Sequence, residues 1–144
     1  HIARGLGIDT SSDMLTLART EISAPEFGHL QVRQGNVYDL AAGQTFDLIV
    51  LHQVLHFLEE PALALTRATE SLTPSGRILI VDFAPHDFEF LRDEHAHHWL
   101  GVSDELMERW LSEVGLCVSD NRRLAPLETS EAALSVVLWL VEKG

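Results

Sequence analysis

Two polar side chains follow strand-like runs of this sequence at positions suited to a nucleotide. Asp9 follows residues 4–8, and Asn36 comes shortly after residues 30–33. Open α/β sheets bind ligands at the carboxyl ends of their strands, where these side chains would lie. The Asp9 carboxylate can accept both hydroxyls of an adenosine ribose, and the Asn36 carbonyl can accept the exocyclic amine of adenine. The alternatives are a helix cap at Asp9 and an ordinary turn asparagine.

Two histidines are candidate acid–base groups at the end of a third run. His52 and His56 follow residues 46–51 and are four residues apart, so both can face one cleft. A metal site needs three or four ligands, and no further ligand is near in the sequence. A pocket wall or an acid–base role is therefore favoured over metal binding.

A histidine-rich segment, residues 86–99, supplies further candidates. A helix that begins at Asp87 would place His95 on one stripe with apolar side chains, with His98 beside it. Three roles are open to such histidines: hydrogen bonding within a core, action on a substrate, or metal binding. The first role is favoured. The apolar members of the stripe are Phe88, Leu91 and Trp99. The candidate general bases are His52, His56, His86 and His95.

Alternating strand and helix patterns position these side chains. Nearly continuous apolar runs at 46–51 and 77–83 are typical of parallel strands covered by helices on both faces. The chain ends with two predicted strands that have no helix between them, at 116–119 and 134–142. Whether the first of them extends to residue 124 is left open. The sequence therefore predicts one α/β domain over residues 1–144, mostly parallel, with an antiparallel C-terminal edge strand. The expected helices cover residues 13–21, 61–73 and 104–114.

The composition excludes several classes of function. The 144 residues carry a net charge of −12, which argues against gripping nucleic acid because phosphate binding needs a basic face. No apolar run approaches the roughly 18 residues of a membrane span, so the chain is expected to be soluble. One cysteine, Cys117, excludes an internal disulfide and agrees with a reducing cytoplasm.

Five motifs, in order and spacing, resemble a class I S-adenosylmethionine-dependent methyltransferase. The resemblance covers nearly the whole chain. The sequence is similar to methyltransferases of the ubiquinone/menaquinone-biosynthesis type. It is more similar to bacterial methyltransferases fused behind an arsenical-repressor-like winged-helix domain. The resemblance implies a Rossmann-like fold and methyl transfer. The motifs are Gly7-Ile8-Asp9-Thr10-Ser11 with Met14, Gly35-Asn36-Val37-Tyr38-Asp39-Leu40, Phe46-Asp47-Leu48-Ile49-Val50, Leu72-Thr73-Pro74-Ser75-Gly76-Arg77 and Ile78-Leu79-Ile80-Val81-Asp82.

The resemblance also implies a cofactor, S-adenosyl-L-methionine, and residues that hold it. Asp9 would bind the ribose hydroxyls, with Thr10 and Met14 flanking the adenosine. Asn36 and Val37 would contact the adenine. His52 would lie beside the methionine end.

The sequence departs from the family pattern in three places. Asn36 stands where an aspartate is commoner, and Pro74-Ser75-Gly76 replaces Pro-Gly-Gly. The first strand and its glycine-rich loop are missing, which suggests an N-terminally truncated domain. In the family that strand lies between the strands at 4–8 and 46–51. Its place could be taken by upstream residues, by direct pairing of those two strands, or by a second copy of the chain. We expect a self-associating fragment, a homodimer, that is inactive alone.

The sequence leaves the methyl acceptor open among small molecules. Quinone precursors and other small molecules remain, whereas arsenicals would call for several cysteines. Two rival functions are an oxidoreductase that uses a dinucleotide, and a non-catalytic S-adenosylmethionine-binding or dimerisation module of a transcriptional regulator. The oxidoreductase requires a nicotinamide site that no motif supports.

Overall fold

Two hydrogen-bonded sheets form the framework of the computed structural model, which describes residues 2–40, 43–126 and 134–144. The chain divides into two units, His1–Ala41 and Ala42–Gly144, and each unit contains one sheet. None of the helices in the described part of the chain combines the length and the apolar character that a membrane span requires.

The first unit is a parallel strand–helix–strand element. Strands β1 (Gly5–Asp9) and β2 (Leu30–Gln34) pair in parallel along their whole lengths, and helix α1 (Ser12–Glu21) connects them. The helix begins at Ser11, whose hydroxyl oxygen accepts the backbone N–H of Met14 over 3.3 Å. These bounds agree with the predicted strands and helix.

The apolar side of helix α1 is covered only in part within the described chain. Leu15 is buried, but Met14 and Leu17 are 54% and 63% exposed.

The second unit carries a four-stranded sheet in the order β3-β4-β6-β5. Strands β3 and β4 are parallel, and β6 runs antiparallel to its neighbours β4 and β5. The predicted Rossmann-like α/β class and the antiparallel C-terminal edge are confirmed. The elements are β3 (Phe46–His52), α2 (Pro61–Glu70), β4 (Leu72–Phe83), α3 (Phe90–His95), α4 (Asp104–Glu113), β5 (Leu116–Leu124) and β6 (Val136–Lys143).

One face of this sheet forms the core. Alternate residues of β4 and β6 are buried there, because side chains of a strand point to opposite faces in turn. Helix α2 contacts β4 and α4, and α4 contacts β5. The indole N–H of Trp139 donates to a carboxylate oxygen of Asp104 over 2.8 Å, which ties β6 to the start of α4. The residues that alternate on this buried face are Ile78, Ile80 and Asp82 of β4 and Val137, Trp139 and Val141 of β6.

Strands β1 and β3 belong to separate sheets in the described part of the chain. Among the described residues, strand β3 pairs with β4. Leu48 and Val50 of β3 are about half exposed on the face opposite the core. The expected homodimer stays a prediction.

The predicted helix over the histidine-rich segment is wrong. Helix α3 covers only Phe90–His95, because Ala96 adopts a left-handed conformation with φ of 55°. A residue with that backbone geometry ends an α-helix. The predicted helix 61–73 is also shorter, since α2 ends at Glu70 and Leu72 already pairs with Phe46 in the sheet.

Two glycines with positive φ differ in what surrounds them, and this difference is testable. Gly101 (φ +80°) packs where a Cβ would overlap the backbone carbonyl of Ala84, whereas the corresponding space at Gly115 (φ +74°) is open. Gly115→Ala should lower the free energy of unfolding by only about 1–2 kcal/mol, the cost of the left-handed backbone. Gly101→Ala should cost clearly more, because the backbone must also move. Urea unfolding of both variants measures the contrast, and equal losses would contradict this packing.

Candidate functional site

The carboxyl ends of β1 and β2 lie side by side in the first unit. Asp9 is opposite Gln34 in the parallel register, and the N–H of Gly35 donates to the carbonyl of Asp9 over 3.0 Å. The side-chain amide of Gln34 donates to the carbonyl of Thr10 over 3.1 Å. The structure thus brings together Asp9, Thr10 and the Gly35–Asn36 turn, which we call the carboxyl edge.

The side chains of the carboxyl edge have local roles and spare capacity. One oxygen of the exposed Asp9 carboxylate accepts a hydrogen bond from the backbone N–H of Ser11 over 2.8 Å. That oxygen therefore has the helix-cap role considered from the sequence. The carbonyl oxygen of the half-buried Asn36 accepts the N–H of Tyr38 over 3.1 Å, as a turn asparagine does. A carboxylate has a second oxygen, and the amide keeps a second lone pair and its N–H donors. Both residues can therefore still bind a ligand.

A buried histidine–aspartate pair anchors the second unit beyond the ends of β3 and β4. His56 Nδ1 lies 2.6 Å from Asp82 Oδ1, and the two side chains are 1% and 0% exposed. The backbone N–H groups of His56 and Phe83 also donate to this carboxylate, over 3.3 and 2.8 Å. Since a carboxylate only accepts hydrogen bonds, Nδ1 of His56 carries a proton.

Two further histidine rings lie beside this pair. The ring centroid of His97 lies 4.3 Å from that of His56 and 6.5 Å from that of His86. The ring of Phe83 stacks on His97 at 5.9 Å with an interplanar angle of 14°. We call His56, His86 and His97 the histidine cluster.

The segment after α3 carries His97 into the cluster through backbone hydrogen bonds. The N–H groups of His98 and Trp99 both donate to the carbonyl of His56, over 2.8 and 3.0 Å. The N–H of Val102 donates to the carbonyl of Phe83 over 2.8 Å, and the indole of Trp99 donates to the carbonyl of Leu58. The segment is thereby attached both to the turn after β3 and to the end of β4.

The surroundings of two cluster members favour their neutral rings. Burial lowers the pKa of His97 below its usual 6.5, and nearby His56, His86 and His95 lower it further, against the opposing effect of Asp82. Burial also lowers the pKa of His86; of its neighbours, Asp87 and Glu89 act in the opposite direction, and His56 and Arg92 lower it further. Desolvation disfavours the charged imidazolium in both cases.

The four histidines singled out from the sequence have different positions. His56 and His86 come together in the cluster, whereas His52 is exposed at the end of β3. His95 is exposed at the end of α3, so its predicted inward position is wrong because the helix stops there.

Sequence reasoning missed two residues of this site, Asp82 and His97. Asp82 continues the buried alternation of Ile78 and Ile80, and an acid at such a position signals a need for a buried partner. No local pattern marks His97, because its position depends on hydrogen bonds to distant backbone. Within residues 2–40, 43–126 and 134–144, no group of three or more His, Cys, Asp or Glu side chains could hold a metal ion.

Comparison with known proteins identifies the family of this chain. A family model described as "Methyltransferase domain" matches residues 3–132. The chain belongs to the class I S-adenosylmethionine-dependent methyltransferases. S-Adenosylmethionine is the cofactor of these enzymes, and the carboxyl edge fits its adenosine because it offers a carboxylate and an amide with unused hydrogen-bonding capacity.

Individual relatives agree with the methyltransferase assignment. The chain is 29% identical over 104 residues to a malonyl-[acyl-carrier protein] O-methyltransferase of Halalkalibacterium halodurans; the match covers 68% of the chain and 38% of that relative. The chain thus spans well under half the length of this curated relative.

Two solved structures show the same methyltransferase fold. The YcgJ protein of Bacillus subtilis has a TM-score of 0.77 at 14% identity, over 99% of this chain and 83% of that one. An S-adenosylmethionine-dependent methyltransferase of Clostridium acetobutylicum has a TM-score of 0.73 at 11% identity, over 98% and 75%.

Removing the buried carboxylate should destabilise the methyltransferase fold severely. Asp82→Ala leaves the Nδ1–H of His56 and the N–H of Phe83 without their acceptor, so we expect a loss of about 3–5 kcal/mol in the free energy of unfolding. The control Asp47→Ala removes an exposed aspartate that accepts a hydrogen bond from Thr73, and should change stability by less than about 0.5 kcal/mol. If urea unfolding showed similar losses of unfolding free energy in both variants, the stabilising role of Asp82 would be refuted.

The histidine cluster should also make stability depend on pH in a definite direction. The pKa of His97 is lower in the folded chain than in the unfolded one, so the unfolded state takes up protons first as pH falls. The stabilisation is complete above about pH 6.5 and is lost as pH falls through the folded pKa. His97→Phe should reduce this acid loss of unfolding free energy, and the exposed control His98→Gln should not. Parallel curves for wild type and His97→Phe would argue against a lowered pKa.

Proposed function

We propose that this chain transfers a methyl group from S-adenosylmethionine to a small-molecule acceptor. The observation that carries the proposal is the carboxyl edge, where two parallel strands end together in a carboxylate and an amide. This is the position at which α/β sheets bind nucleotides. Family membership supports it, because the match extends over residues 3–132.

Each residue of the carboxyl edge receives a role toward the cofactor. One Asp9 carboxylate oxygen accepts the backbone N–H of Ser11, and the other accepts hydrogen bonds from the ribose hydroxyls. The Asn36 side chain forms a hydrogen bond with the adenine. Thr10 and the exposed Met14 flank the adenosine, and the half-buried Val37 contacts the adenine.

The chemistry of methyl transfer determines what the remaining residues must do. S-Adenosylmethionine supplies, when bound, a methyl carbon on a positively charged sulfur, which reacts by in-line displacement. The protein aligns the acceptor and excludes water, and it supplies a base where the acceptor must lose a proton. His56 is a positioning residue, because it is fully buried and held by Asp82.

A small molecule is the acceptor class that the charge and composition favour. A net charge of −12 opposes a nucleic-acid acceptor. Cys117 is exposed and is the only cysteine in the sequence, which opposes arsenical chemistry. The curated relative methylates oxygen by its name, in agreement with a small oxygen-containing acceptor group.

Calorimetry with the purified protein separates the proposed function from its rivals. We expect S-adenosylmethionine to bind and NAD not to bind, and an acceptor mixture of small molecules to release S-adenosylhomocysteine. Binding of NAD alone would support the oxidoreductase. Binding of S-adenosylmethionine without any methylated product across a broad acceptor screen would instead indicate a non-catalytic binding module.

Asp9→Asn tests the ribose contact while it preserves the local turn. The asparagine carbonyl can still accept the N–H of Ser11, but the charge that strengthens hydrogen bonds to the ribose is lost. We expect the affinity for S-adenosylmethionine to fall about 10- to 100-fold, as for loss of a charged hydrogen bond of roughly 1.5–3 kcal/mol. Asp13→Asn, an exposed aspartate in the first turn of α1, should bind as wild type. Unchanged affinity in Asp9→Asn would remove Asp9 from the binding site.

A further inference from the structure

We propose that the exposed half of strand β5 pairs antiparallel with the same strand of a second copy of this chain. Asn121 lies on the two-fold axis of that pair, so Asp120 of each copy is opposite Arg122 of the other. This surface is at the opposite end of the sheet from β3, beside which a second copy was considered from the sequence. The inference concerns the second unit alone and does not rest on the proposed methyl transfer.

The exposure of β5 is the first observation. The strand ends the sheet order β3-β4-β6-β5, and among the described residues it pairs with β6. Leu116 at its start is buried, whereas every residue from Ser119 to Leu124 is exposed. Because successive side chains point to opposite faces, this half of the strand is exposed on both faces in the described part of the chain. Such an edge can bind a further strand through its backbone N–H and C=O groups.

An irregularity in β5 limits the length over which a second strand can pair. The register with β6 is continuous from Asp120 to Leu124 but shifts between Val118 and Asp120. A bulge of this kind disrupts the ladder locally. A symmetric ladder centred on Asn121 therefore comprises residues 120–122 and one further pair, Ser119 with Arg123, at each end. So short a ladder predicts a weak dimer.

Two-fold symmetry restricts the possible registers. When two copies of one strand pair antiparallel about a two-fold axis, one residue lies opposite itself and its two neighbours lie opposite each other's copies. Side chains that are directly opposite in an antiparallel pair lie on the same face and are close enough to interact. The choice of the residue on the axis therefore determines which charges meet.

The charges of β5 favour one of these registers. With Asn121 on the axis, both opposing pairs of charges join Asp120 to Arg122. With Asp120 on the axis two aspartates meet, and with Arg122 or Arg123 on the axis two arginines meet. Opposite charges stabilise a strand pair and like charges destabilise it. An asparagine also suits the axis, because its amide both donates and accepts hydrogen bonds and can bind its own copy.

The two charged side chains are already on one face of the sheet. Asp120 is opposite Leu140 and Arg122 is opposite Leu138 in the ladder with β6. Nε of Arg122 lies 3.5 Å from Oδ2 of Asp120, and the side chains are 77% and 55% exposed. A guanidinium has five N–H donors and a carboxylate has two oxygens, so each can bind a second partner. The dimer joins two such ion pairs into a ring of four alternating charges.

A shallow hollow on the same face is the second observation. Its volume is about 230 Å³, and it is lined by Leu79, Leu138, Leu140 and residues 120–122. The arginine of the second copy would extend its methylene stem along this border to reach Asp120. Long charged side chains cover apolar surface with their stems while the charged end stays at the rim. The same register that pairs the charges thus covers part of the apolar lining.

A second copy is the occupant that fits because the edge is complementary to itself. The net charge of −12 opposes association between copies in general. Residues 119–124 differ from the chain as a whole, since they carry one aspartate and two arginines. The electrostatic repulsion between two copies is therefore relieved at this edge.

Sedimentation of the full chain measures whether the dimer forms. The average mass should rise from 16.0 kDa toward twice that value as the concentration increases. A mass that stays at 16.0 kDa up to about 1 mM would overturn the inference, because even a weak specific dimer is populated at that concentration.

Charge reversal tests the register. Asp120→Arg and Arg122→Asp each place like charges opposite each other, so the dimer dissociation constant of each variant alone should rise at least about 10-fold. An equal mixture of the two variants should associate as wild type does, because every opposing pair then joins an arginine to an aspartate. The double variant, with both substitutions in one chain, should also dimerise. Recovery in the mixture requires both variants to be folded.

A matched control separates the pairing from net charge. Arg123→Asp changes the charge as much as Arg122→Asp does, but it lies opposite Ser119 and should dimerise as wild type. Single reversals that dimerise as wild type, a mixture that does not associate, or an equal loss in Arg123→Asp would each contradict the inference.

A cysteine on the axis provides a test that leaves every charge in place. In a Cys117→Ser background, Asn121→Cys places two thiols directly opposite each other, so mild oxidation should produce a disulfide-linked dimer. In the same background, Arg123→Cys places its thiols several residues apart along the ladder and should cross-link far more slowly. Equal cross-linking of the two variants, or none in Asn121→Cys, would overturn the proposed register.

Discussion

The buried pair of His56 and Asp82 is the interaction on which the second unit depends. Asp82 occupies a position of β4 that faces the core, where an ionisable side chain is tolerated only with hydrogen-bonding partners. Two backbone N–H groups and the His56 ring provide them. The turn after β3 must therefore lie over the end of β4, because only that placement lets His56 reach the carboxylate.

The position of His56 in turn determines where the histidine-rich segment lies. The carbonyl of His56 accepts two N–H groups from the segment, and its ring packs against His97. Gly101 allows the segment to approach Ala84 closely before α4 begins. A single requirement, the satisfaction of one buried carboxylate, thus leads from a strand to a turn, a loop and a cluster of three imidazoles.

Local patterns predicted much of this fold, because they reflect local physics. Continuous apolar runs predicted β3 and most of β4, and the helices expected at 13–21 and 104–114 match α1 and α4. The position of Asp9 and Asn36 at strand ends followed from the general geometry of parallel sheets. The start of β4 was missed, since Leu72 already pairs with Phe46 and an irregularity follows before the register resumes at Arg77.

Long-range contacts explain what the sequence did not predict. An amphipathic pattern favoured a long helix through His95, but Ala96 ends it in a left-handed conformation, and backbone hydrogen bonds to His56 hold the residues beyond it. Helical spacing therefore placed His95 inward, whereas His97 is the buried residue. The partner of Asp82 lies 26 positions away, beyond the reach of any periodicity.

A double-mutant cycle on the buried pair measures this dependence most directly. Urea unfolding of wild type, His56→Ala, Asp82→Ala and the double variant yields the coupling free energy between the two side chains. If the pair anchors the unit, the double variant loses much less unfolding free energy than the two single variants lose together. The coupling free energy is then about 2 kcal/mol or more. Single losses that add within about 0.5 kcal/mol would show that each side chain is stabilised independently and would contradict this account.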